Sequence, residues 1–150
     1  KMNFIDIYKN NISQTLLELD SSKIEKTLFL LKNLQKNNGR LFIIGVGGSA
    51  GNASHAVNDF RKIIGIEAYS PTDNVSELTA RTNDEGWSSV FSQWLLTSNL
   101  NKRDIIFIFS VGGGDLKKNI STNLVNAIIL AKKRKSTVLS IVGKADGFAA

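Results

Sequence analysis

The sequence predicts an α/β chain, a three-layer sandwich in which helices cover both faces of a central parallel sheet. Short unbroken apolar runs, LFII from Leu41 and IIFIF from Ile105, suit strands buried on both faces of such a sheet. Each run empties into a glycine-rich turn, GVGGSA or SVGGGD, and apolar residues at helical spacing follow. Two amphipathic helices precede the first of these strands.

In chain order, Phe4, Ile7, Tyr8, Ile12, Leu16 and Leu17 recur at helical spacing and predict a helix over 4–19. Ser21 or Ser22 is expected to cap a second helix reaching about Leu34, with Asn38-Gly39 as its stop. Their apolar stripes need a cover, and a second copy of the chain is the natural candidate. The first strand, its turn and a helix to about Ile64 come next. IEAYS reads as a short second strand and Pro71 opens a loop. Asp73 or Asn74 is expected to cap a short helix, and Asn83, Asp84 and Gly86 mark a polar turn. Trp87, Val90, Phe91, Trp94 and Leu95 start another helix and read as core or interface. Beyond the strand from Ile105, Ser121 is expected to cap a helix that presents Leu124, Ala127, Ile128 and Ala131 on one face. TVLSIVG is the last strand.

The 150 residues fit one domain with a real core, and zero cysteines exclude a disulfide framework and suit a reducing cytosol. No apolar run approaches the roughly 18 residues of a spanning helix, and no signal peptide opens the chain. A cytoplasmic location is therefore expected, with no membrane partner. The only methionine is Met2, so Lys1 is expected to be a leftover rather than native. Nineteen basic against thirteen acidic residues give +6, which favours anionic ligands. The basic run Lys132 to Lys135 falls where a helix should end, and no aromatic side chains interleave it as nucleic-acid stacking would require.

Chemistry is expected at the turn between Leu41 and Phe60. Gly45, Gly47 and Gly48 let the backbone turn sharply, and the amides that open the following helix favour an anion, most often phosphate. Ser49 adds a hydroxyl there. His55, the only histidine, and Asp59 lie four residues apart and share a helix face. With a rise of 1.5 Å per residue, His55 lies roughly 9 Å along the axis from Ser49. GVGGSA also fits the dinucleotide fingerprint, with Glu67 near the place of the ribose-binding acid. The second turn, SVGGGD, repeats the arrangement. In open parallel sheets ligands bind outside the carboxyl ends of the strands, so the two turns can line one crevice.

Four segments, GVGGSAGNASH with Asp59 beyond it, TDNVSELTARTNDEGW, DIIFIFSVGGGDLKKNIS and IVGKADG, occur in an order that resembles the sugar isomerase (SIS) domain family, and within it the phosphoheptose isomerases. The resemblance covers essentially the whole chain and displaces most of the dinucleotide reading, with nicotinamide binding kept as a third possibility. It implies an aldose-ketose isomerase that converts sedoheptulose 7-phosphate to D-glycero-D-manno-heptose 7-phosphate through an enediol, assembled as a homo-oligomer, a tetramer by likeness. The alternative it implies is a non-catalytic module that binds a sugar phosphate or docks to a protein partner. By the same likeness Asp59 and His55 are catalytic, and Gly47, Gly48, Ser49, Asn83, Asp84, Ser110, Gly112, Gly113 and Asp115 bind substrate. Asp59 stands where better-known members carry glutamate. SVGGGD replaces a hydroxyl-rich phosphate loop, so only the Ser110 hydroxyl remains, and Asp115 stands where a hydroxyl would bind phosphate, its repulsion of a dianion to be offset by the glycine amides with Lys117 or Lys118 nearby. The chemistry requires no cofactor, although some members hold zinc through the positions of His55 and Asp59. The family continues with a further strand and a terminal helix carrying a second histidine, so residues 1–150 are expected to form a single SIS domain shortened at its C-terminal end.

Overall fold

The computed structural model describes residues 3–150; Lys1 and Met2, and with them the expectation about Lys1, lie outside the described residues. The chain forms two compact units, Lys1–Leu31 and Lys32–Ala150.

Helix α1 (Phe4–Leu17) begins at Asn3, whose side chain accepts a hydrogen bond from the Asp6 amide at 2.9 Å. It buries no residue, and Phe4 and Leu17 are 80% and 81% exposed. Helix α2 (Ser21–Lys36) is capped by Asp20 rather than by Ser21 or Ser22. The Asp20 carboxylate accepts from the Ser22 amide at 2.9 Å and the Ser22 hydroxyl at 2.6 Å, and an anion at a helix N-terminus also meets the positive end of the macrodipole. Hydrogen bonding to Ser22 holds the Asp20 carboxyl below its ordinary range. α2 ends past the predicted Leu34 because Lys36 and Asn37 still close helical hydrogen bonds before Asn38 turns left-handed.

In the second unit four parallel strands, β1 (Leu41–Gly45), β2 (Ala68–Tyr69), β3 (Ile105–Ser110) and β4 (Thr137–Val142), lie in the order β2-β1-β3-β4. The register pairs Leu41 with Ile105 and Ile105 with Thr137, so β1, β3 and β4 start level and end level. All five residues of β1 are buried. Side chains alternate across the sheet, and Phe42, Ile44, Ile106 and Ile108 join one core cluster with Phe91, Leu95, Leu124 and Ile128. Those last four belong to α5 (Val90–Thr97) and α6 (Thr122–Lys133), which therefore cover that face. Helix α3 (Gly48–Asp59) packs on β1 through buried Ala53 and Val57, which lie outside that cluster and serve the other face. The α/β architecture with a parallel sheet and two leading helices is as predicted.

Local differences have physical reasons. α3 passes into a π-helical turn at Phe60–Ile64, which Gly65 ends at φ 74°. The strand expected over IEAYS shrinks to two residues because only Ala68 and Tyr69 find partners on β1. Asn83 and Asp84 do not form a turn: α4 (Val75–Glu85), capped by Asn74 on the Glu77 amide at 3.2 Å, runs through both and stops at Gly86. Ser121 occupies the cap position of α6, but its left-handed backbone, φ 48°, leaves its side chain without a capping hydrogen bond. The Trp94 ring packs edge-on against Phe42 at 5.5 Å, as a core residue should, while Trp87 is half exposed.

At the amino end of the sheet Asp104 is 2% exposed and fully engaged. Its carboxylate accepts from the Arg40 guanidinium at 2.7 and 3.1 Å, the Arg40 amide at 3.2 Å and the Asn101 amide at 3.0 Å. Its carbonyl accepts from the Ser136 hydroxyl at 2.8 Å. Removing one partner of a buried ion pair strands the other, so Asp104→Ala is expected to cost about 3 kcal/mol, read as a lower urea midpoint. The depressed Asp20 carboxyl stabilises the start of α2 above the ordinary carboxylate range and ceases to as pH falls through its own lowered value. The protection factor of the Ser22 amide, its exchange relative to an unstructured amide at the same pH, is therefore expected to fall on strong acidification.

Candidate active site

The turn after β1 is tight because Gly45 has no side chain: a Cβ there would sit 2.4 Å from the Ser49 carbonyl oxygen. Gly47 then adopts φ 61°, ψ −126°, a conformation that L residues avoid. The amides of Ser49 and Ala50 donate to the carbonyls of Val46 and Gly47 at 3.2 and 2.9 Å, so they close the turn instead of facing a ligand. What the turn offers an anion is therefore the earlier amides of Gly47 and Gly48 and the Ser49 hydroxyl.

The turn after β3 is closed by Ser110, whose Oγ accepts from the Gly113 amide at 3.0 Å. Gly113 and Gly114 are both left-handed, at φ 73° and 82°. Level strand ends bring the two turns together. Ser49, Asn52, Phe109, Ser110, Val111, Ile141, Val142 and Gly143 line a cavity of ≈ 400 Å³ at the carboxyl edge of the sheet. In this strand order the chain runs outward from β1 to β2 on one side and from β3 to β4 on the other, so β1 and β3 flank the switch point where open α/β sheets bind ligands. No lining residue is charged. An anion there would rest on hydroxyl, carboxamide and backbone donors.

Of the expected site residues, the structure brings Ser49 and Ser110 to this cavity, with Gly47, Gly48, Gly112 and Gly113 in the two turns that frame it. His55 and Asp59 stand elsewhere. His55 Nε2 lies 3.2 Å from Asp59 Oδ2, and their side chains are 78% and 43% exposed on α3. Asp59 also accepts from Asn58 Nδ2 at 3.2 Å. Ten residues of helix separate Asp59 from Ser49, about 15 Å along the axis. Asn83 and Asp84 are exposed on α4, where the Asn83 amide donates to Asp84 at 2.8 Å. The Asp115 carboxylate folds onto its own loop, accepting from the Lys117 and Lys118 amides at 2.8 and 3.1 Å, with Lys118 Nζ 3.8 Å away. It lines a second cavity of ≈ 370 Å³ with Lys117, Asp146 and Phe148.

The pair His55 and Asp59 is short of a zinc site by itself. His55 and Asp59 supply two donors, a structural or catalytic zinc takes at least three protein ligands, and no group of three His, Cys, Asp or Glu comes together among the described residues. Asn52 and Gly143 reach the cavity without having been singled out from sequence. Asn52 was legible, standing three residues after Ser49 and so on nearly the same helix face. Gly143 depends on β4 ending level with β3, which one sequence does not reveal.

The SIS domain model matches residues 5–143. The chain belongs to the SIS domain family. It is 32% identical over 143 residues to a phosphoheptose isomerase of Sulfurimonas denitrificans, covering 91% of this chain and 70% of the relative. To a phosphoheptose isomerase of Helicobacter pylori it is 30% identical over 138 residues, covering 87% of this chain and 67% of that one. Among solved structures, the phosphoheptose isomerase of Neisseria gonorrhoeae superposes with a TM-score of 0.75 at 22% identity, over 98% of this chain and 80% of the other. That of Francisella tularensis gives 0.71 at 20% identity, over 99% and 79%. The structural likeness establishes the SIS fold.

The two glycines that open α3 of this SIS domain separate backbone strain from space. A Cβ added to either would meet no atom within 4 Å, yet only Gly47 has positive φ. Gly47→Ala is expected to destabilise by about 1–3 kcal/mol, whereas Gly48→Ala is expected to be neutral or to stabilise by up to about 1 kcal/mol, both read from urea unfolding.

Proposed function

We propose that this SIS domain is a sugar-phosphate isomerase that interconverts sedoheptulose 7-phosphate and D-glycero-D-manno-heptose 7-phosphate through an enediol. The observation that carries the reading is the convergence of Ser49 and Ser110, from the turns after β1 and β3, on one cavity at the switch point of the sheet. At ≈ 400 Å³ the cavity is in the range that takes a small metabolite. The curated relatives named phosphoheptose isomerase support the reaction class.

In this reading Asp59 removes the proton next to the carbonyl and returns it to the neighbouring carbon, while His55 polarises or protonates the sugar oxygens. Gly47, Gly48, Ser49, Ser110, Gly112 and Gly113 hold phosphate and hydroxyl groups, with Asn83, Asp84 and Asp115 assigned to the sugar by likeness alone. Asp59 stands well along α3 from its own chain's cavity, so the reading also calls for a homo-oligomer, a tetramer by family likeness, in which copies complete one another's sites. The uncovered apolar residues of α1, Phe4, Ile5, Tyr8, Leu16 and Leu17 among them, supply a surface for that assembly. The two turns need no metal to receive a phosphate.

One observation favours a second reading, a module that binds a sugar phosphate without turnover: no titratable side chain lines the cavity. A proton NMR time course with sedoheptulose 7-phosphate in deuterated water separates the two. The isomerase is expected to produce aldose signals and deuterium at the carbons flanking the carbonyl, whereas line broadening without exchange would identify a binder. Asp59→Asn is expected to lower turnover at least about 100-fold while binding persists, and unchanged turnover would remove Asp59 from the mechanism.

A further inference from the structure

The turn after β3 keeps a single hydroxyl, that of Ser110, and its backbone orientation shows what else it can offer an anion. Four consecutive carbonyls face the segment that follows β4. Val111 O accepts from the Gly143 amide at 3.0 Å, Gly113 O from the Ala149 amide at 3.0 Å and Gly114 O from the Phe148 amide at 3.0 Å. Between them, Gly112 O abuts Gly147, where an added Cβ would lie only 2.4 Å from it. No peptide among the described residues is cis, so in each of these planar units the N–H points opposite to the C=O. The amides of Gly112, Gly113, Gly114 and Asp115 are thus all turned away from that segment. Gly113 N–H is taken by Ser110 Oγ at 3.0 Å and Asp115 N–H by Ile120 O at 2.9 Å. Gly112 N–H and Gly114 N–H have no protein acceptor among the described residues, and the Ser110 hydroxyl keeps its proton to donate.

We propose that the segment Gly143–Ala149 is a strap that aligns these peptides into an anion-receiving row, with Gly147 as the positioning residue that lets strap and turn meet. The inference rests on the sugar-phosphate reading and deepens it: the phosphate is recognised by oriented backbone amides, not by a set of hydroxyls. Successive amides pointing to one side form a recognised kind of anion-binding concavity. The strap is itself fastened to the fold. Ala149 is buried in the core cluster, its carbonyl accepts from the Ser140 hydroxyl of β4, and the Lys132 ammonium sits 5.6 Å over the Phe148 ring. Gly147 touches no reacting atom and acts only through the turn.

Titrating ¹⁵N-labelled protein with inorganic phosphate is expected to move the Gly112 and Gly114 amide resonances, and Gly147→Ala is expected to weaken that binding about tenfold. In the isomerase assay Gly147→Ala is expected to raise KM about tenfold while kcat stays within about twofold, the signature of lost ground-state binding. Should Gly147→Ala fail to fold, Ser140→Ala decides, since it loosens the strap without adding atoms; it is expected to weaken phosphate binding severalfold. Unchanged phosphate affinity in the variant that folds overturns the proposal and leaves the isomerase reading standing. A joint fall of kcat and urea midpoint in Gly147→Ala makes the residue structural and overturns the proposal too. A wild-type chain that neither binds phosphate nor turns over the sugar overturns the sugar-phosphate reading and the strap with it.

Discussion

Everything at the carboxyl edge of the sheet depends on an interaction at the opposite edge. Asp104 gathers Arg40, Asn101 and Ser136 around one carboxylate and one carbonyl, and those residues lie just before β1, β3 and β4. Buried polar groups are tolerated only when their lone pairs are filled, and here the donors come from three separate stretches of chain, Arg40 and Asn101 on the carboxylate and Ser136 on the carbonyl. Filling them holds the three strands level at their starts. Because each residue of a strand advances the chain by about 3.3 Å, strands that start level and have matched lengths also end level. The cavity between the turns after β1 and β3 is a consequence of that alignment.

Within the level sheet, two forms of close approach do the remaining work. Gly45 lets the first turn of α3 lie against the end of β1, and Gly147 lets the residues after β4 lie against the turn after β3. Both contacts are backbone against backbone, where a single methyl group would have no room. The serines then need little help: Ser49 is carried to the cavity by α3, and Ser110 by the last position of β3. Asp115, which as a free carboxylate would repel an anion, is occupied by the amides of Lys117 and Lys118.

Much of this architecture was legible in the residues themselves. Unbroken apolar runs at Leu41 and Ile105 identified strands buried on both faces, and the repeated glycine turns pointed to the edge of the sheet where ligands bind. What escaped was set by competition between neighbouring signals and by where each helix begins and ends. Ser22 is a good capping residue, but Asp20 lies two residues earlier and accepts from both the Ser22 amide and its hydroxyl, an outcome that propensity alone does not rank. Asn83 and Asp84 are common turn residues, yet the cap at Asn74 starts a helix that carries through them until Gly86 stops it. His55 and Asp59 were correctly placed on one helix face. Their position relative to the cavity depends on where the helix begins and which face Ala53 and Val57 bury, and periodicity over so few apolar residues does not fix that.

The sheet consequently has one moored edge and one editable edge. Its amino edge is tied by the side-chain contacts around Asp104, above the apolar core that covers its face. The turns at the far edge are short, glycine-rich and joined largely through main-chain atoms, with Val46, Ser110 and Asp115 as the side chains that fasten them. Mutational drift can therefore change an exposed position such as Val111 of SVGGGD without loosening the sheet beneath it. A lineage built on this scaffold can change its ligand preference while inheriting its foundations intact.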